Sequence, residues 1–244
     1  MPALLSVNVN KYALLRNSRG HNNPDLLVAI DTCLAAGSHG ITIHPRRDER
    51  HIRMDDVPLV AAHLRHHHPG VELNIECENH PSLIEMVLEI RPAQCTLVPV
   101  TPGEVTSDHG WDLPREADAL RPTVEALKNA GIRVSIFMDC EPSAMTAAAT
   151  TGVDRVELYT GPYAWAWGTD QQSAQTDRIW KTTAAAKKLG LGINAGHDLD
   201  RHNLVDIAAM PGLDEVSIGH AQICRALDVG TRQSIGELLA ALGH

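Results

Sequence analysis

The chain has 244 residues, 43% of them hydrophobic and only 3% aromatic, so its core has to be built from Ala, Leu, Val and Ile. Its 21 Lys and Arg stand against 30 Asp and Glu, a formal charge of −9 that argues against a nucleic-acid or anionic-membrane partner and leaves any anionic ligand to local clusters of Arg, His and backbone amides. No apolar run approaches the ~18 residues of a membrane span, and Cys33, Cys77, Cys95, Cys140 and Cys224 lie far apart without a CxxC pair, as expected of reduced thiols in a cytoplasmic protein.

Taken in order, short β-branched runs alternate with longer helical stretches. The expected strand–helix pairs are Leu5–Asn10 with Asp25–Ala36, Gly40–Pro45 with Asp55–His67, Glu72–Cys77 with Pro81–Ile90, and Cys95–Val100 with Glu116–Ala130. They continue as Arg133–Met138 with Pro142–Thr151, Arg155–Thr160 with Ser173–Leu189, Leu191–Ala195 with His202–Met210, and Glu215–His220 with Ala221–Leu242, the last broken at Gly230. Asp55 and Ser82 are candidate helix starts, while Gly37, Gly131, Gly152 and Gly190 follow helix ends, where a left-handed residue is needed. Strict alternation implies right-handed crossovers and a parallel sheet. Apolar runs without clean alternation suggest strands buried on both faces. Eight such units without a linker predict a single domain over residues 1–244, a closed (β/α)8 TIM barrel with extra helices. The competing open doubly wound sheet lacks its GxGxxG fingerprint.

In a β/α barrel, chemistry sits at the carboxyl ends of the strands. The first strand ends in Asn8, Asn10 and Lys11 and runs toward Arg16 and Arg19; the second ends in His44, followed by Arg46 and His51. The third ends at Glu76, Thr106 lies beyond the fourth, the sixth carries Glu157, the seventh ends in Gly196, His197 and Asp198, and the eighth in Gly219 and His220. The opposite ends carry mostly Gly, Ala, Val and ordinary charges. That asymmetry points to catalysis, with His and Glu side chains as acid and base groups around one substrate. Phosphate is the expected anion, because NAGHD and SIGHA place glycine amides after strands seven and eight, and Arg19 and Arg46 can add forked contacts. Elsewhere the plain readings hold: His66, His67 and His68 as a solvated helix end, Trp165 and Trp167 as surface cover, and Asp108–His109 as a loop pair. His44, Glu76 and His197 are metal-ligand types, but no HxH or HExxH spacing accompanies them, so no metal is expected.

The motifs VNVNKYALLRNSRG, GITIHPRRDERHI, LNIE, LVPVTPGEVTS, RVELYTGPYA, INAGHDL and SIGHAQICRAL, in this order, resemble the pyridoxine 5′-phosphate synthase family nearly end to end. The resemblance implies a (β/α)8 barrel with extra helices, assembled as a cytoplasmic homo-octamer without metal or organic cofactor. It implies condensation of 1-deoxy-D-xylulose 5-phosphate with 3-amino-2-oxopropyl phosphate to pyridoxine 5′-phosphate, phosphate and water. By motif, His44 and Glu76 would accept protons, His197 would donate one, and Glu157 would stabilise the transition state. Asn8, Arg19, Asp198 and the amides of Gly219 and His220 would hold the aminoketone phosphate; Asn10, Lys11, Arg46, His51 and Thr106 would hold deoxyxylulose phosphate.

This chain departs from the common family pattern in three places. It has Asn8-Val9-Asn10-Lys11 for Asn-Ile-Asp-His, Asp198 for Gly, and Val100-Thr101-Pro102 for Glu-Lys-Arg. The departures keep open a non-catalytic paralogue that binds sugar phosphates; a metal-dependent barrel lyase or isomerase is a further alternative.

Overall fold

The structure, a computed structural model, describes residues 2–101, 103–104 and 106–244, so Pro102 of the third departure lies outside the described residues. Eight parallel strands close into a barrel in chain order: β1 (Leu4–Asn8), β2 (Gly40–Ile43), β3 (Glu72–Cys77), β4 (Gln94–Leu97), β5 (Arg133–Met138), β6 (Arg155–Tyr159), β7 (Gly192–Gly196) and β8 (Leu213–Ile218). Around them run α1 (Asn10–Asn17), α2 (Leu26–Ala35), α3 (Asp56–His67), α4 (Pro81–Ile90), α5 (Leu113–Asn129), α6 (Met145–Thr150), α7 (Gly161–Ala166), α8 (Gln172–Lys188), α9 (Leu204–Ala208), α10 (His220–Val229) and α11 (Thr231–Leu242). The fold is the expected (β/α)8 TIM barrel, and the break at Gly230 separates α10 from α11.

Differences from the expected elements have local causes. The first strand stops at Asn8 because its side-chain Oδ1 accepts the N–H of Asn10, which starts α1. The expectation missed α1, whose exposed Leu14 and Leu15 blur the polar face opposite buried Tyr12, Ala13 and Arg16. It also missed α7, which opens with Gly161-Pro162; proline in a first turn is a start signal as much as a loop signal. His220, expected at a strand end, is the first residue of α10. Asp55 precedes α3 without capping it through its side chain, and Ser82 lies inside α4 behind Pro81. Asp25 does cap through its side chain, accepting the N–H groups of Leu27 and Val28 at the start of α2.

The strands are not apolar on both faces. Each alternates, with Leu5, Val7, Ile41, Ile43, Leu73, Ile75, Val134, Ile136, Val156 and Leu158 packed in the layer shared with the helices. The intervening positions fill the barrel with polar groups: Ser6 bonds Thr42 at 2.7 Å, Asn74 bonds Thr42, and Thr96 bonds Asn74 at 3.1 Å. At the amino ends of the strands, Arg133 binds Gln94 and Glu72, and Arg155 binds Asn194 and Glu215. These ends therefore join the ordinary charges expected there into a network. The interior gains its register from satisfied hydrogen bonds, and the outer layer carries the hydrophobic stabilisation, about 1.5–3 kcal/mol for each fully buried aliphatic side chain.

Candidate active site

At the carboxyl ends of the strands lies a cavity of about 460 Å³. Asn8, Asn10, Lys11, His44, Arg46, His51, Glu76, Thr106, Glu157, His197, Asp198, Gly219 and His220 all line it. Of the candidate residues only Arg19 does not: it is exposed beyond the end of α1. Arg50, Ser107, Ser217, Leu14 and Leu199 also line the cavity and were not singled out from the sequence, since each looks like an ordinary loop, strand or helix residue.

The floor of the cavity is a set of buried groups on separate strands. His44 Nδ1 lies 3.4 Å from Glu76 Oε2, to which Asn8 also donates at 3.5 Å. Asn10 Oδ1 accepts the backbone N–H of His44 at 2.9 Å, so it fixes the end of β2 as a carboxylate would. Glu157 Oε2, His44 Nε2 and Arg46 Nε are buried without a hydrogen-bond partner among the described residues. Three unsatisfied polar atoms at one cavity mark a place for a polar ligand.

Burial sets the protonation of this floor. It pushes His44 down to about 3, with the Arg46 charge acting in the same direction. His51 falls to about 3, by burial and then by the charges of His44, Lys11 and Arg46. The carboxyls move the other way: burial raises Glu76, and burial followed by the charge of Glu76 raises Glu157. Burial thus disfavours the charged form of both partners in the His44–Glu76 contact, so its distance alone does not make it an ion pair.

His197 stands on a strained turn. Its φ is 82° and that of Asp198 is 57°, both in the left-handed region that L side chains rarely adopt. Thr160 Oγ1 donates to the carbonyls of Gly196 and His197, Asn203 donates to the carbonyl of Asp198, and Trp165 Nε1 donates to Asp198 Oδ2 at 2.9 Å. Trp165 thus holds the site turn, a role beyond surface cover. The φ of Asp198 also accounts for the glycine expected there in relatives: aspartate is among the few other residues that tolerate it. Phe137 and Tyr159 wall the half-buried His197 ring, with centroids 4.8 and 5.5 Å away. Burial lowers its pKa to about 4, aided by His44 and Lys11 and opposed by Asp198.

Two glycines permit this crowding. A Cβ on Gly196 would lie 2.5 Å from Glu157 Oε1, and one on Gly219 would lie 2.7 Å from the Asn8 carbonyl. Gly219 also leaves the first turn of α10 without a side-chain cap, so its backbone N–H groups face the cavity end where Gly219, His220 and Ala221 line it.

The loop after β2 supplies the other cationic wall. Arg46 lies 3.4 Å from Glu104, and Arg50 donates to the Glu104 carbonyl at 3.0 Å. His51 Nδ1 accepts the N–H of Ile52 at 2.9 Å, which leaves the proton of the neutral ring on Nε2 as a donor. The loop is pinned from outside by α1. Arg16 forms a buried two-point ion pair with Asp56 at 2.6 and 2.8 Å, and Asn17 donates to the His51 carbonyl at 2.8 Å. Neither contact is visible in the sequence, where the partners stand far apart.

Comparison with known proteins bears on what this cavity does. Residues 5–244 match the model of the family described as pyridoxal phosphate biosynthesis protein PdxJ. A pyridoxine 5′-phosphate synthase of Albidiferax ferrireducens is 49% identical over 250 residues, covering 100% of this chain and 99% of that protein. One from Xanthomonas axonopodis pv. citri is 48% identical, covering 96% and 94%. Among solved structures, the tryptophan synthase A-subunit of Pyrococcus furiosus aligns with a TM-score of 0.65 at 10% identity, over 98% of each chain. Phosphoribosyl anthranilate isomerase of Thermus thermophilus aligns at 0.60 and 12%, again over 98% of each. At such identities these two likenesses show the barrel fold alone.

Proposed function

The chain belongs to the PdxJ family of pyridoxal phosphate biosynthesis proteins, and from that premise we propose how its barrel mouth makes pyridoxine 5′-phosphate. The substrates are 1-deoxy-D-xylulose 5-phosphate and 3-amino-2-oxopropyl phosphate. The amine adds to the ketone with loss of water, one phosphate leaves, and an aldol-type closure with loss of a second water forms the aromatic ring. Each step moves a proton on small, doubly anionic molecules.

One observation carries the assignment: a single cavity brings the cationic wall of Arg46 and His51 and the amide end of α10 around the same four acid–base groups. Arg46, His51 Nε2–H, Asn10, Lys11 and Thr106 hold the deoxyxylulose phosphate. Asn8 and the amides of Gly219, His220 and Asp198 hold the aminoketone phosphate. The Asp198 side chain is turned onto Trp165, which leaves its backbone N–H as the contact consistent with an anion. Arg19 completes that set only if a substrate draws the segment after α1 inward, because its present position is outside the cavity.

His44, neutral and with its Nε2 unpaired, is the first base, and the Glu76 carboxyl oxygen accepts from its Nδ1–H and so favours the imidazolium that forms. His197 becomes a donor after the substrates bind, since two phosphate dianions favour its imidazolium. Glu157, held protonated by burial, donates a hydrogen bond to oxygen that gains charge in the transition state. By the family resemblance the chain would act as one domain in a cytoplasmic homo-octamer. Among the described residues no helix is long and apolar enough to cross a membrane.

The test is direct. Purified protein with both substrates and no added metal is expected to release pyridoxine 5′-phosphate and phosphate, with His197→Ala at background. Tight binding of a product analogue without turnover would defeat the catalytic reading.

A further inference from the structure

Near the rim opposite the cavity, three side chains from separate parts of the chain meet. Asp31 lies in the second half of α2, His63 in the last two turns of α3, and His68 just past the end of α3, ahead of β3. Both helices run back from the carboxyl to the amino ends of the strands, and none of the three residues lines the catalytic cavity. A single carboxylate oxygen, Asp31 Oδ1, lies 2.6 Å from His63 Nε2 and 2.7 Å from His68 Nε2. The three atoms all fall within 4.8 Å of one another, on half-buried side chains. The triple-histidine run is therefore not a uniformly solvated helix end: His66 and His67 are exposed, but His68 folds inward.

One histidine on Asp31 is enough to tie α2 to α3. A second imidazole on the same oxygen makes a convergent N, N, O set of the type that suits zinc, with too few oxygens for calcium or magnesium. His67 stands four residues after His63 on the same helix, with ring centroids 4.8 Å apart. That i, i+4 spacing places two imidazoles on one helix face, as in helical zinc sites. Zinc–ligand bonds of about 2.0–2.1 Å in a tetrahedron put donor atoms roughly 3.3 Å apart. The Asp31 oxygen therefore has only to withdraw by somewhat less than an ångström, from a side chain that is half-exposed.

We propose that Asp31, His63 and His68 form a structural zinc site, completed by His67 or water, that clamps α2 to α3 at the base of the barrel. The site is independent of the synthase chemistry, because its ligands touch no substrate group.

The test titrates Zn2+ into chelator-stripped full-length protein and follows metal binding and thermal melting. One Zn2+ per chain is expected, and a hundredfold excess over the dissociation constant raises the melting temperature by roughly 5–10 °C. Asp31→Asn and His68→Gln lose both effects while keeping synthase activity. His220→Gln keeps both effects, which separates this site from the surface pair of His220 and Cys224, 3.6 Å apart. Absence of a zinc-dependent shift in the wild type overturns the proposal, as does a shift that survives in both variants. Co2+ bound to the wild type gives a check that needs no variant. An intense four-coordinate visible spectrum supports the site, and the weak spectrum of an octahedral ion overturns it.

Discussion

Gly196→Ala tests the proposed role of Glu157 without touching its carboxyl. The new Cβ would lie 2.5 Å from Glu157 Oε1 and 3.3 Å from the Ser217 carbonyl, against the 3.4 Å at which ordinary contact begins. The backbone of β7 is fixed by its ladders to β6 and β8, so the Glu157 side chain has to give, by about 0.9 Å in a close-packed interior. Overpacking of this kind costs about 1–3 kcal/mol, a fall in melting temperature of roughly 2–10 °C for a domain of this size. A displacement near 1 Å at a catalytic group lowers the rate on the order of 100-fold. The assay is steady-state kcat and KM for both substrates with thermal melting, in Gly196→Ala, Glu157→Ala and the double variant. The expected result is a large loss in kcat, small changes in both KM values, and no further loss when Gly196→Ala is added to Glu157→Ala. A wild-type kcat in Gly196→Ala, or penalties that simply add in the double variant, refutes the reasoning.

Protonation gives a pair of opposed pH effects. His51 falls to about 3 on folding, so its contribution is complete above the unfolded value near 6.5 and is lost as pH drops toward 3. His51→Gln should therefore gain melting temperature relative to wild type as pH falls from 6.5 to 4. Glu157 is raised on folding, so it costs stability increasingly as pH rises above the unfolded carboxylate range; Glu157→Gln should gain relative to wild type from pH 5 to 8. Parallel melting curves in either comparison refute the assignment. Asp198→Gly relieves the left-handed backbone and removes a negative charge near an anion, so it should lower the KM of one substrate at an unchanged or raised melting temperature; a higher KM counts against the backbone-only role. Arg16→Met leaves Asp56 buried without its partner, at a cost of about 3–5 kcal/mol, and frees the His51 loop; chemical denaturation with a KM measurement checks both. Binding of inorganic phosphate should draw protons onto the site histidines, so its calorimetric heat should depend on the buffer's ionisation enthalpy.

The barrel was legible because its cause is repetitive. Four units repeat the order of helix, glycine and strand, and their glycines after the helix ends, Gly37, Gly131, Gly152 and Gly190, all have positive φ. The cavity was legible because strand ends deliver side chains at fixed points, so His44, Glu76, Glu157 and His197 could be placed from topology alone. What stayed hidden depends on contacts between distant residues. The Arg16–Asp56 pair and the Trp165–Asp198 bond have no local signature. The alternation of the strands was present in the sequence but obscured, because Ser6, Thr42, Asn74 and Thr96 are small polar residues that read as neutral in an apolar run.

The polar interior and the shifted acid–base groups have one physical origin. A barrel lined by hydroxyls and amides below, with Phe137, Tyr159 and Val98 forming an apolar patch near the mouth, holds its titratable groups away from bulk water. Such a floor favours neutral forms, so the imidazoles lose protons and the carboxyls keep them. On the proposed reaction each substrate would bring a dianion to the cationic and amide walls, and the same low dielectric would make that charge felt strongly at His197 and His44. Under the proposed function, proton positions would follow occupancy: burial favours the protonated forms of Glu76 and Glu157, and bound phosphate would move positive charge onto the histidines. An enzyme that needs acid and base at successive steps can obtain both from one set of residues, because the charge of its substrates selects which form each residue takes.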